Sequence, residues 1–156
     1  MNRLTRRGFT VIELLTVLIV IAVLASIMVL RFVDLKHRAI SSRATTDMDI
    51  IRKAAYSRYY DAGVWPAGGG QGIVPADMAP YLPTSFSFAR PDYTLEWENF
   101  VPPGGGSSAS YQAAVRLTSP NPRLMQALTQ TIGSRSPYVI IGNDLLVIVV
   151  GPDGRI

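Results

Sequence analysis

Residues 9–30 are apolar except for Thr10, Glu13, Thr16 and Ser26. At a helical rise of about 1.5 Å per residue the stretch spans roughly 33 Å, the depth of one bilayer's hydrocarbon core. A chain of 156 residues offers no second apolar layer to wrap a helix that is hydrophobic all round, so the pattern predicts a membrane crossing. The run is longer than the about 7 to 15 apolar residues of a secretory signal. It continues past the small pair Ala25-Ser26, so cleavage there is the lesser alternative. No Gly or Pro lies between Phe9 and Ala62, and without those breakers the helix is expected to continue well beyond the membrane. Past Arg31 the apolar positions become one-sided. Val33, Ile40, Ala44, Met48, Ile51, Ala55 and Tyr59 recur at steps of three, four or seven, while Arg43, Asp47, Arg52, Lys53 and Arg58 fall largely off that stripe. This half must therefore pack along one face. A helix over residues 9–60 would be about 78 Å long, more than a small head is wide, so its front end is expected to protrude.

The remaining pattern is different. Residues 61–92 hold five prolines and the Gly68-Gly69-Gly70-Gln71-Gly72 cluster, which predicts an irregular connection with one short helix near residues 75–81. Gly63 is a natural helix C-cap and Pro66 stops continuation. Tyr93, Leu95 and Trp97 alternate with Thr94, Glu96 and Glu98, and Tyr111, Ala113, Val115 and Leu117 alternate with Gln112, Ala114, Arg116 and Thr118. Both read as half-buried strands, joined by a Gly/Ser turn at residues 102–110 into an antiparallel hairpin. Asn121-Pro122 is a cap and first-turn pair, Leu124, Leu128 and Ile132 step by four, and Gly133 closes a short helix. Residues 138–141 and 145–150 flank Gly142-Asn143-Asp144 as a second hairpin, with the latter run apolar on both faces as an interior strand would be. The fold class expected is α+β: a four-stranded antiparallel sheet whose apolar face is covered by the helix stripe from Ala44 to Tyr59, with the short inserted helix over the sheet edge or the other face.

Charge and composition narrow the chemistry. The chain nets +4, but the excess lies in the first 60 residues. Residues 61–156 hold five cations and seven anions, which argues against nucleic-acid binding by the head. There is no Cys and a single His, His37. Thiolate metal sites, thiol nucleophiles and a Ser-His-Asp triad are therefore out of reach, and no enzyme is expected. The charge rule for orientation is balanced, because Arg3, Arg6 and Arg7 precede the span while Arg31, Lys36, Arg38 and Arg43 follow it.

Residues 6–16 read Arg-Arg-Gly-Phe-Thr-Val-Ile-Glu-Leu-Leu-Thr, and here the sequence closely resembles the type IV pilin and pseudopilin family. A short basic leader ends in Gly8, Phe9 follows, and a lone acid, Glu13, sits in the apolar run. The resemblance implies cleavage by prepilin peptidase between Gly8 and Phe9, N-methylation of Phe9, and assembly into a filament through the N-terminal helices. It implies a ladle-like subunit with a leader at 1–8, a transmembrane and filament-core helix at 9–30, an amphipathic stem at 31–60 and a globular head at 61–156. Within that head a variable loop would occupy 61–92 and the sheet 93–156. Partners would be the chain itself, other pilin-like subunits, prepilin peptidase and an inner-membrane assembly platform. The location would be the bacterial inner membrane, single-pass with the head extracytoplasmic, and then the filament. A membrane carboxylate costs about 2.5 to 3.5 kcal/mol on insertion scales. The family reading returns that cost by pairing Glu13 with the Phe9 amine of a neighbour, against the plainer alternative of an interfacial Glu reaching water. The segment from Tyr59 to Pro66, with Gly63 and Trp65-Pro66, resembles the stem-helix ending of pseudopilins and related pilins. Unlike many relatives the apolar helix has no Gly or Pro midway, which speaks against helix melting on assembly.

Other motifs read more plainly. The glycine cluster lacks the Lys-Ser/Thr of a phosphate loop and is expected to be a flexible connection. Asp144 and Asp153 are weak calcium candidates; the oxygens near them are too few for a cation that takes six to eight, so turn chemistry is the expected role and no metal or cofactor is. Trp65 and Trp97 are expected in the core, and His37 in solvent or at a subunit contact. The function expected is a structural subunit of a type II secretion-type pseudopilus. The alternatives are a type IV pilus or competence minor pilin, and a signal-anchored binding protein that forms no filament.

Overall fold

Helix α1 runs Val11–Ala62 without interruption for 52 residues, as a stretch free of Gly and Pro allows. The computed structural model describes residues 9–100, 112–133 and 136–150. After α1 come a 3₁₀ turn at Ala79–Tyr81, strands β1 (Thr94–Asn99) and β2 (Ala113–Thr118), helix α2 (Pro122–Ile132), and strands β3 (Tyr138–Ile141) and β4 (Asp144–Val150). The chain divides into two compact units, Met1–Lys36 and His37–Ile156. In the first, every large apolar side chain from Phe9 to Val29 whose burial is described is half exposed or more. Its helix is long and apolar enough to cross a membrane.

In the second unit the four strands form one antiparallel sheet in the order β1-β2-β4-β3. Leu95, Leu117 and Leu145 align across three strands, as do Trp97, Val115 and Val147. These rows carry the apolar face predicted from their period of two. They join Ala44, Met48, Ile51, Ala54 and Ala55 of the α1 stem in one hydrophobic core, so the helix stripe does cover the sheet. β4 is interior, as its two-sided apolar pattern requires. It begins at Asp144, one residue earlier than expected, so the turn is the two-residue Gly142-Asn143. Tyr111 and the connecting turn at 102–110 lie outside the described residues, and β2 starts at Ala113 opposite a bulge in β4.

Helix α2 is capped as its sequence dictates. The Asn121 side chain accepts from the Arg123 and Leu124 amides, and Gly133, at φ +50°, ends it with its N–H on Thr129. Its placement differs from expectation. Rather than covering an edge or the far face, it lies beside the α1 stem: Leu124, Leu128 and Ile132 join the same core, and Thr131 Oγ1 meets Ser41 Oγ at 2.6 Å. Ser41 is fully buried, and a small hydroxyl at that point of α1 lets a second helix approach closely.

The glycine-rich connection is also more ordered than its composition implies. The Gly69 amide donates to the Trp97 carbonyl at 3.0 Å and the Gly72 amide to the Leu95 carbonyl at 2.8 Å. The segment thus occupies the free edge of β1, satisfying groups that an edge strand leaves open.

Candidate functional site

The expected assembly residues sit at the start of α1. Thr10 precedes the first helical residue, and its Oγ1 accepts from the Glu13 amide at 3.3 Å. Glu13 answers: its Oε2 accepts from the Thr10 amide at 3.3 Å and from the Thr10 hydroxyl at 3.2 Å. This reciprocal arrangement is a capping box, which satisfies amide donors that the first turn cannot. The Thr-x-x-Glu spacing is readable in the sequence, but neither the intermolecular nor the interfacial reading of Glu13 includes a local partner for it. A carboxylate offers about four acceptor sites, and among the described residues only Oε2 is used. The other oxygen keeps its capacity for a cation, at a helix start whose dipole favours a negative group. Phe9 is 81% exposed. Gly8 lies outside the described residues.

A second polar constellation fixes the head to the stem. Asp47, assigned by its charge to the wet side of the stripe, is only 5% exposed. Its Oδ2 accepts from Arg90 Nε at 3.0 Å and from the Tyr93 hydroxyl at 2.8 Å. A buried charge persists only when paired and hydrogen-bonded, and both partners come from the turn that leads into β1. Burial, followed by the hydrogen bond to Asp47, pushes the Tyr93 phenol well above its ordinary value. Arg90 also lies 5.3 Å from the centre of the Phe86 ring, so the guanidinium is held by a carboxylate on one side and a π-face on the other.

Where α1 ends, aromatic side chains take over. Trp65 stacks on Tyr59 at 4.5 Å and meets Tyr56 edge-on at 5.3 Å, while Trp97 is fully buried and donates from Nε1 to the Pro66 carbonyl at 3.1 Å. Asn99 Nδ2 donates to the same carbonyl at 2.8 Å. Both tryptophans thus serve the interior, and the Tyr-Gly-Trp-Pro ending folds back onto β1 through them.

The remaining candidates are resolved individually. Asp144 accepts from the Thr118 hydroxyl at 2.6 Å, a bond across the start of β4; Asp153 lies outside the described residues. No group of three metal-capable side chains occurs among the described residues. His37 is half-buried rather than solvated: its Nε2 lies 3.1 Å from Asn121 Nδ2. Since Asn121 Oδ1 is occupied by the α2 amides, its nitrogen faces the imidazole and donates to it. On the sheet's outer face Arg116 pairs with Glu96, its partner in the β1–β2 register, at 3.6 Å and with Glu98 two residues along the same strand.

Comparison with known proteins agrees with the N-terminal geometry. Residues 3–29 match the family model described as the prokaryotic N-terminal methylation motif, the signature of the type IV pilin family. No curated protein and no solved structure matches the chain. The signature runs into a long α1, which precedes an α+β head, and the motif points to a structural subunit rather than an enzyme.

Proposed function

We propose that the chain is a membrane-anchored structural subunit which, after removal of residues 1–8 and methylation of the new N-terminus at Phe9, assembles with other pilin-like subunits into a type II secretion-type pseudopilus. The observation that carries this reading is the methylation motif at 3–29 with one carboxylate, Glu13, in a helix otherwise free of charge to residue 30. Residues 9–30 are the membrane and filament-core segment, 31–60 the stem and 61–156 the extracytoplasmic head, anchored in the inner membrane until an assembly platform extracts it. The pseudopilus is preferred over a competence fibre because the head's negative balance opposes attraction to nucleic-acid phosphates; the Tyr59 to Pro66 stem ending resembles that of pseudopilins and related pilins alike.

Processing gives the direct test. Mass spectrometry of the chain extracted from membranes of a host with prepilin peptidase is expected to show a start at Phe9 carrying one methyl group. A start at Met1, or one following Ser26, would overturn the proposal.

A further inference from the structure

We infer that residues 31–36 of α1 form a bilayer-surface site whose ligand is the phosphate of anionic phospholipid headgroups; this rests on the proposed membrane crossing. At about 100° per residue, Arg31, Leu35, Phe32 and Lys36 fall within an arc of about 140° on one side of α1, and Asp34 lies outside it. All four side chains are exposed, with Phe32 at 68% and Leu35 at 63%. The patch therefore consists of two apolar side chains flanked by two cations, and no hydrogen bond or ion pair engages either cation among the described residues.

Position decides what such a patch meets. The apolar run ends at Leu30, and Phe32 and Leu35 follow it by about 3 and 7.5 Å along the helix axis. Phe32 thus lies inside the headgroup zone, which adds roughly 5 to 7.5 Å on each side of the hydrocarbon, and Leu35 lies at its outer limit. Side chains of this kind bury apolar bodies at the acyl boundary while long cationic stems reach the phosphates. Zwitterionic headgroups offer the cations no net charge, whereas an anionic headgroup does, at a gain of roughly fivefold in local preference for each cation near the surface. Continuity with the apolar span and complementarity of charge thus select the same occupant.

The test uses the full chain reconstituted in phosphatidylcholine vesicles containing a minor fraction of phosphatidylglycerol. Spin-labelled phosphatidylglycerol and phosphatidylcholine report which lipid is immobilised at the protein boundary. The wild-type chain is expected to prefer phosphatidylglycerol, and Arg31→Gln with Lys36→Gln is expected to reduce that preference by roughly fivefold or more at low salt. Raised ionic strength should narrow the difference. Arg3, Arg6 and Arg7 are unchanged in both chains and contribute equally. Replacing chloride by inorganic phosphate at equal ionic strength should leave the preference intact; its loss would show a site for free phosphate and overturn the lipid assignment. Equal preference in wild type and variant, with both chains inserted, would overturn this inference alone. Failure of the wild-type chain to float with the vesicles would overturn the membrane reading together with it.

Discussion

Asp47 shows how one side chain departs from the logic of its helix. It occupies a stem position that periodicity assigns to water, yet it is buried because Arg90 and Tyr93 supply donors from the opposing turn. Tyr93→Phe removes a hydrogen bond to a charged acceptor and is expected to destabilise the head by about 1.5 to 3 kcal/mol in chemical denaturation. The same phenol gives a pH dependence with a definite sign. Its proton is held more tightly in the folded chain than in the unfolded one, so its contribution is fully present below about pH 10 and declines as the pH rises above that value. Above about pH 10 the wild-type head should lose stability more steeply with rising pH than Tyr93→Phe, and parallel slopes there would refute the role given to this hydroxyl. Ser85 is a second exception. It sits at φ +65° in a tight turn closed by the Phe86 amide on the Pro83 carbonyl at 3.0 Å. Ser85→Gly is expected to raise the melting temperature, by relief of about 1 kcal/mol of left-handed backbone cost; an unchanged or lower value would count against it.

At the scale of elements, the two edges of the sheet are treated differently. β1 is covered by the chain's own glycine segment, while β3 leaves Val139, Ile140 and Ile141 at 42%, 46% and 64% exposure. The β1 cover depends on Gly72, whose φ of +75° no ordinary side chain adopts cheaply. Gly72→Val is expected to cost at least about 1 to 2 kcal/mol and to hasten hydrogen exchange at the Gly69 and Gly72 amides, with the α2 amides unaffected. Exchange that is unchanged at Gly69 would show that the cover does not need this turn. The limits of the sequence are visible here. Periodicity located α1, both hairpin strand pairs and α2, because each buries one face and the residue spacing records it. It missed the seat of α2, since an amphipathic helix shows that it has an apolar side but not which partner meets it; the deciding residue was Ser41, small and buried between two helices. It missed the docking of residues 69–72 because those bonds are made by backbone groups, which leave no side-chain pattern. His37 was misplaced for a related reason: its partner, Asn121, is 84 positions away and was already assigned a local capping role.

For the molecule as a whole, the capping box at Glu13 sharpens what its substitution should do. Insertion and assembly place opposite demands on a carboxylate in an apolar helix. Glu13→Val deletes the one charge within residues 9–30, so membrane insertion should be preserved or improved. If the free carboxylate oxygen receives the Phe9 amine of a neighbouring subunit, the variant leaves that ammonium buried and unpaired, a penalty of roughly 3 to 5 kcal/mol for removing one half of a buried pair. Filaments should then be depleted at normal membrane content. The capping box adds an alternative that the sequence reading did not contain, namely that Glu13 matters because it secures the first turn with Thr10. Thr10→Val separates the two. It removes the hydroxyl of the box at a cost of about 1 kcal/mol to the helix start while leaving the carboxylate charge available to a neighbour. On the pairing account, Thr10→Val should retain much of the sheared-filament yield and Glu13→Val should lose it. On the capping account the two variants should fail alike. An interfacial Glu that merely reaches water predicts normal filament and membrane fractions for both, and that result would refute the pairing and the capping roles together.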